Sequence, residues 1–185
     1  DSYLNSKLTK EELSNKLFRV DTTDVGFEEM NAGATNIDEY IDKINISAQD
    51  VEGYKIKGMW YIDKRQGEMK YRLLAIAPVT PDVQTMGRED LDISEQLPLF
   101  WVFYPDARKV LHDMKVFNSK NAAYPISYDH ILNARRFSYI IYKVENMYGD
   151  REVSDYVKGN ALFQVLESDK IKESIRNKEL DMWNY

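Results

Sequence analysis

The run from Tyr54 to Val79 constrains this chain more than any other part of it. Over Tyr54–Ile62 the period is two. Tyr54, Ile56, Trp60 and Ile62 fall on one face of an extended strand, and Lys55, Lys57, Met59 and Tyr61 fall on the other. Lys64-Arg65-Gln66-Gly67-Glu68 is polar and carries the glycine that a tight turn favours. Beyond it Met69, Tyr71, Leu73 and Ala75 alternate against Lys70 and Arg72. This pattern predicts an antiparallel hairpin. Leu73-Leu74-Ala75-Ile76-Ala77 drops the alternation, which is expected where helices cover a strand's second face.

The segments around the hairpin read as a mixture of helix, loop and strand. Thr9-Lys10-Glu11-Glu12 is a capping box, with Leu8 and Leu13 placed as a hydrophobic staple, so a helix over about Lys10–Phe18 is expected. Val20–Thr35 shows little periodicity and reads as a surface loop. Ile37, Tyr40, Ile41 and Ile44 recur at helical spacing behind an Asn36 cap and predict a helix ending near Ser47. The three prolines Pro78, Pro81 and Pro98, with an acidic run through Glu89, Asp90, Asp92 and Glu95, predict a long connection. Leu99–Tyr104, bounded by Pro98 and Pro105, then reads as a buried central strand. Asp106 and Ser127 are candidate caps for helices over Asp106–Leu111 and Tyr128–Arg136, and Phe137–Val144 has the β-branched and aromatic content of a fourth strand. Glu152–Lys178 is helical in pattern, with a break at Gly159.

Composition then narrows the chemistry. The chain has 185 residues and a net charge of -6, so no overall positive field gathers nucleic acid or an anionic membrane. It has no cysteine, which removes disulfides, thiolate metal sites and a cysteine nucleophile while leaving the compartment open. Its two histidines, His112 and His130, have no second histidine or cysteine at ligand spacing. No Walker sequence or dinucleotide fingerprint occurs. No apolar stretch approaches the roughly 20 residues of a spanning helix, and the lack of an amino-terminal signal pattern points to a mature or trimmed product.

The remaining constellations each have a bland reading beside a functional one. Ser127, Asp129 and His130 bring a hydroxyl, a carboxylate and an imidazole together in sequence, but neighbouring helix residues point apart and Ser127 is well placed as a cap. Asp90, Asp92 and Glu95 lack the glycine and terminal glutamate of a calcium loop. Arg135-Arg136 beside Phe137 and Tyr139 suits phosphate or base stacking, and equally a helix end or a fork to buried acids. The 13 tyrosines, three tryptophans and seven phenylalanines suit a core, a sugar platform or a protein interface. The ending Leu180-Asp181-Met182-Trp183-Asn184-Tyr185 places bulky groups beyond a charged helix. It either seals the core or docks on another protein, and Leu180, Trp183 and Tyr185 are the candidate partner-binding residues. No catalytic, cofactor or metal residues are assigned. The rival readings are a hydrolase using His130 or His112 with an acid, and a carbohydrate-binding module.

Several ordered blocks carry a family resemblance. Trp60-Tyr61-Ile62-Asp63, Tyr71–Val79, Leu99–Pro105 with Ala107-Arg108, and Val116-Phe117-Asn118 resemble the GldN family of gliding-motility proteins, called PorN in its secretion role. Arg135-Arg136-Phe137-Ser138, Leu166–Lys172 and Asp181-Met182-Trp183 follow in the same order, so the similarity runs from about residue 35 to the end. The resemblance implies a non-enzymatic periplasmic subunit of the type IX secretion and gliding machinery, peripheral to the outer membrane. It implies a ring built with a GldK/PorK-like outer-membrane lipoprotein and contacted by a GldM/PorM-like inner-membrane motor-linked protein. It supplies no catalytic residues and no cofactor, and explains the absent signal peptide as removed.

The expected fold class is therefore α+β: a mainly antiparallel sheet of about four strands flanked by helices from both termini. A single GldN/PorN-like domain over 1–185 is expected, with 1–35 contributing an amino-terminal helix and loop.

Overall fold

The computed structural model describes residues 4–33, 38–86, 96–118, 121 and 123–182. It begins with α1 (Lys10–Leu17), where the expected capping box forms. The Thr9 hydroxyl accepts the Glu12 N–H at 3.2 Å, and the Glu12 carboxylate accepts the Thr9 N–H at 2.8 Å. The next residues depart from expectation. Phe18–Thr22 is strand β1, and Asp24–Asn31 is helix α2, capped by the Thr23 hydroxyl, which accepts the Gly26 N–H at 3.3 Å. The expected loop over Val20–Thr35 is thus a strand and a helix as far as Asn31.

The expected helix over Ile37–Ser47 is replaced as well. Ile37 lies outside the described residues, Asp38–Tyr40 is a single 3₁₀ turn, and Ile41–Asn45 is strand β2. β2 pairs antiparallel with β1, from Phe18 opposite Asn45 to Thr22 opposite Ile41. Ile41 and Ile44 satisfy a helical spacing, but their branched side chains suit a pleated surface and β1 supplies the ladder.

Gly26 sits where α2 meets this ribbon. A Cβ added there would lie 2.8 Å from both Thr22 Cγ2 and Tyr40 Cβ, neither of which is the free end of a long side chain. Gly26→Ala is expected to lower stability by about 1–2 kcal/mol, because overpacking of about 1–3 kcal/mol outweighs alanine's helix preference. A urea midpoint that rises on this substitution would contradict the close approach.

A capped 3₁₀ turn at Ala48–Asp50 leads into the expected hairpin, β3 (Gly53–Asp63) and β4 (Glu68–Pro81). In its turn Gly67 has φ +64, donates to the Asp63 carbonyl at 2.8 Å, and Asp63 Oδ1 accepts the Arg65 N–H at 3.1 Å. β4 is the central strand of an antiparallel four-stranded sheet. It has β3 on one side, and β5 (Gln96–Pro98) and β6 (Val102–Phe103) both pair with it as well.

The Leu99–Tyr104 segment is therefore an interrupted edge, and the hairpin's second strand holds the centre. Val79 faces Pro98 while Ile76 faces Val102, so Ala77 and Pro78 lie across from the three residues Leu99, Phe100 and Trp101. The extra residue is a bulge. Pro78 has no N–H to offer the ladder there, and its carbonyl accepts the Leu99 N–H at 3.1 Å. β4 also keeps an alternation that its sequence hides. Leu73, Ala75, Ala77 and Val79 are buried, while Leu74, Ile76 and Pro78 are half-buried, so the second face is not fully covered.

The rest follows as α3 (Tyr104–Asp113), β7 (Lys115–Val116), β8 (Ile126–Ser127), α4 (Tyr128–Asn133), α5 (Val153–Tyr156) and α6 (Ala161–Asp181). α3 begins before the expected Asp106 cap, with Pro105 in its first turn, where a missing N–H costs nothing. β7 and β8 pair antiparallel. The expected break between the last two helices is present, with Gly159 at φ +86 and the Asn160 side chain capping α6. The fold is α+β, with an antiparallel four-stranded sheet and helices towards both ends of the chain.

The chain forms two compact units, Asp1–Gly58 with Leu73–Val110, and Met59–Arg72 with Leu111–Tyr185. In the first, Ile46, Val83 and Leu99 form a buried cluster against which Leu17, Ile44, Met86 and Phe100 pack. Each of the three contributes about 1.5–3 kcal/mol by burial. Arg19 of β1 is also buried there. Its guanidinium donates to the Val83 carbonyl at 3.0 Å and to the Gln84 carbonyl, and pairs with Asp21.

Candidate partner-binding surface

The second unit is organised by side chains that reach across backbone turns. α4 ends in a Schellman turn, in which Arg135 donates to the Leu132 carbonyl at 3.2 Å and Arg136 to the Ile131 carbonyl at 3.0 Å. The left-handed position of that motif is normally glycine. Here it is Arg135, at φ +51. A non-glycine residue in this region costs about 1–2 kcal/mol, and the Arg135 side chain supplies an offset. Its guanidinium carbon lies 4.5 Å from the Trp60 ring centroid and 5.6 Å from that of Tyr71. The two rings contact each other at 5.2 Å and 58°. Such cation–ring contacts are worth about 0.5–2 kcal/mol according to their exposure.

The Arg135-Arg136 pair thus divides its work between capping a helix end and covering aromatic rings. Burial raises the Tyr71 phenol above its ordinary value, while the Arg135 charge pulls it back down and Tyr139 raises it. Tyr139 in turn contacts Phe137 at 5.7 Å, and the Lys172 ammonium lies 4.9 Å from its ring.

Phe137–Val144 does not form the expected fourth strand. Among the described residues its one ladder contact is an isolated bridge between Lys143 and Glu152. The Ile141 N–H instead donates to the Ser168 hydroxyl of α6 at 2.7 Å, and the Tyr142 carbonyl accepts the Val153 N–H at 2.8 Å. Ser168 is fully buried. A β-branched segment has here found a helix side chain in place of a strand neighbour, and only the tertiary structure reveals that choice.

The acid and hydroxyl constellations resolve into local structure. The Ser127 hydroxyl caps α4 by accepting the His130 N–H at 3.2 Å, and Asp129 Oδ1 accepts from the Asn133 amide at 3.0 Å. The His112 carbonyl accepts from the Lys115 ammonium. Asp90, Asp92 and Glu95 lie outside the described residues. Among the described residues no group of three metal-ligating side chains comes together, and no helix is long and apolar enough to cross a membrane. The contacting aromatic pairs are tilted at 58° and lack the coplanar arrangement of a sugar platform.

Of the three predicted partner-binding residues, Leu180 is on the last turn of α6 and exposed. Trp183 and Tyr185 lie outside the described residues. The periodicity did not single out the opposite end of the helix. Leu162 and Phe163, 63% and 56% exposed, with Val165 and Leu166, form an uncovered apolar surface on its first two turns. The half-buried stripe of α6 runs through Gln164, Ser168, Ile171 and Ile175, so these apolar residues fall on other faces.

A sequence model of the gliding motility associated protein GldN matches residues 1–184. The chain belongs to the GldN family. Membership gives it a role in gliding motility and type IX secretion. No individual curated protein matches it. Within the GldN blocks that carried the resemblance, Trp60, Tyr71 and Arg135 are the residues that the structure brings into one stack.

Three carboxylates, in two local caps and the hairpin turn, are held in their charged form by neighbouring donors. Hydrogen bonds from the Thr9 backbone and hydroxyl hold Glu12 below its ordinary value of 4.5. Ser47 does the same for Asp50, and the Arg65 N–H for Asp63, each below 3.8. A carboxylate whose folded value is depressed stabilises fully above its unfolded value, and that contribution disappears as pH falls through the folded one. The caps are therefore expected to open below about pH 4, read as loss of the Thr9 and Ser47 amide shifts in an NMR titration. Shifts that stay constant to about pH 2 would contradict the capping assignment.

Proposed function

We propose that this GldN-family chain is a non-enzymatic structural subunit of the type IX secretion and gliding machinery. It forms a periplasmic ring with a GldK/PorK-like outer-membrane lipoprotein, at the outer membrane's inner surface, and couples that ring to a GldM/PorM-like periplasmic segment of the motor-linked protein. It acts as one 1–185 domain. Both compact units draw on two separate stretches of chain and share the hairpin strands, which supports this reading.

One observation carries the architectural role. Among the described residues nine apolar side chains are buried, against 26 large apolar ones left exposed. Several of these are adjacent, as at Tyr139-Ile140, Met147-Tyr148 and Leu162-Phe163. Isolated exposed apolar residues are ordinary on a monomer, whereas grouped ones mark association surfaces. Specific interfaces bury on the order of 1,200–2,000 Å² and favour aromatic anchors.

Co-purification with a GldK/PorK-type lipoprotein, followed by native mass measurement and cross-linking, tests the proposal. A stoichiometric complex is expected, and none at native salt would overturn it. Leu180→Asp and Trp183→Ala are each expected to weaken the complex by about 10- to 100-fold, the equivalent of one lost apolar anchor. Neither should move the melting temperature by more than about 2 °C. A melting loss with the complex intact would assign the tail to the core instead.

A further inference from the structure

The ribbon of β1 and β2, which lies wholly within the first compact unit, has an open edge. The bonds from the Ile46 N–H to the Leu17 carbonyl and from the Thr23 N–H to the Tyr40 carbonyl fix the phase of its ladder. Asp42 and Ile44 therefore bond across to Asp21 and Arg19, while Ile41, Lys43 and Asn45 direct their backbone groups away from β1. Among the described residues no strand and no other backbone group meets them there. The matching edge of β1 is partly taken, because the Phe18 N–H closes α1 on the Ser14 carbonyl. A two-stranded ribbon is marginal by itself, and a strand edge with free donors and acceptors is where an extended segment adds.

Charge selects the occupant of the β2 edge. Asp21 and Asp42 stand directly opposite each other, an unfavourable cross-strand pair. Arg19 neutralises Asp21, whereas Asp42 is exposed and has no cation beside it among the described residues. Lys43 is exposed as well, and no described acid pairs with it. A basic side chain next to Asp42 and an acid next to Lys43 would complete both. A second copy of β2 supplies neither. The antiparallel register that pairs all five residues sets Lys43 against Lys43. A slip one way sets Asp42 against Asp42, and a slip the other way leaves both charges without a counter-charge.

We propose that β2 takes up an extended segment of a different protein as a third, antiparallel strand. That segment carries a basic residue opposite Asp42, an acidic one opposite Lys43 and β-branched ones opposite Ile41 and Ile44. Read along its own direction, the recognised pattern is apolar, acidic, basic, apolar.

A short capped peptide with the central run threonine, valine, glutamate, arginine, valine is the probe. At about 1 mM it is expected to shift the Lys43 and Asn45 amides in an NMR titration and to slow their hydrogen exchange. Exchanging its glutamate and arginine should weaken binding about threefold or more, and the chain carrying Asp42→Lys with Lys43→Asp should prefer the exchanged peptide. Backbone pairing makes a sharper demand. N-methylation of the glutamate, which faces Lys43 in a hydrogen-bonded pair, should cost about tenfold, while N-methylation of the arginine, whose N–H points outward, should cost little. The peptide arms on the parent chain decide alone if the double variant does not fold. Absence of shifts at Lys43 and Asn45, equal binding of the two charge orders, or equal loss from the two methylations would each overturn the proposal. Exchange protection of those amides that grows with chain concentration would give the edge to a second copy and overturn it too. Because the test uses the chain and peptides only, its failure is distinct from a failure to bind the lipoprotein.

Discussion

Replacing Arg19 by leucine is expected to lower stability by about 3 kcal/mol, and the melting temperature by about 6–12 °C. Arg19 is buried in β1, and its guanidinium donates to the carbonyls of Val83 and Gln84 while pairing with Asp21. Hydrogen bonds from a charged donor are each worth about 1.5–3 kcal/mol, and leucine would leave two carbonyls in or near the core without their donor. Two terms reduce the sum. Asp21 is 38% exposed, so water takes over part of its solvation when the arginine goes. The Arg19 Nε already lacks a partner among the described residues, a cost that leucine removes. Arg19→Lys should fall between, because one ammonium cannot serve both carbonyls and the carboxylate. Chemical denaturation of the three proteins provides the check. A leucine variant as stable as the parent would mean that the Arg19 hydrogen bonds add nothing to the Val83–Met86 turn beyond its own hydrogen bonds to Asp82 and its apolar packing.

Arg19 also shows why parts of this fold are legible in the sequence and others are not. What local chemistry decides can be read directly. The Thr9–Glu12 box, the Ser127 cap, the Gly67 turn and the Gly159 break each need only residues within four positions of one another, and all are present. What a distant partner decides cannot. Ile41 and Ile44 fit a helix as well as a strand until β1 is placed beside them. Phe137–Val144 looks like a strand until the Ser168 hydroxyl takes its N–H. The bulge at Leu99–Trp101 follows from Pro78, more than 20 residues away along the chain.

The candidate surface divides in the same way. Leu180 was visible as a bulky group on a charged helix, whereas the exposed Leu162–Leu166 surface hides in a segment whose apolar content looks like ordinary core. The helix-end position of Arg135-Arg136 was legible, but the left-handed backbone of Arg135 was not, since nothing in Asn133-Ala134-Arg135-Arg136 announces such a residue where glycine is usual.

That residue carries the second large expectation. Trp60→Ala should cost about 2–4 kcal/mol, below the range for a fully buried tryptophan because Trp60 is only half-buried. The variants at Arg135 separate two opposing effects. Arg135→Ala keeps the left-handed strain and loses the ring contacts, so it should destabilise by about 1–2 kcal/mol. Arg135→Gly loses the same contacts and relieves the strain, so it should be more stable than the alanine variant by about 1 kcal/mol. If the glycine variant instead exceeds the parent by that amount, the guanidinium contributes nothing across Trp60 and Tyr71. A double-mutant cycle between Trp60→Ala and Arg135→Ala isolates the contact, with a coupling of about 0.5–2 kcal/mol expected. Tyr71 offers an independent readout. Because the Arg135 charge favours its phenolate, either Arg135 variant should push the Tyr71 titration further above the ordinary tyrosine value, followed by ultraviolet absorbance at alkaline pH. A Tyr71 titration that does not move would separate Arg135 from the stack and leave its left-handed backbone without a compensating contact.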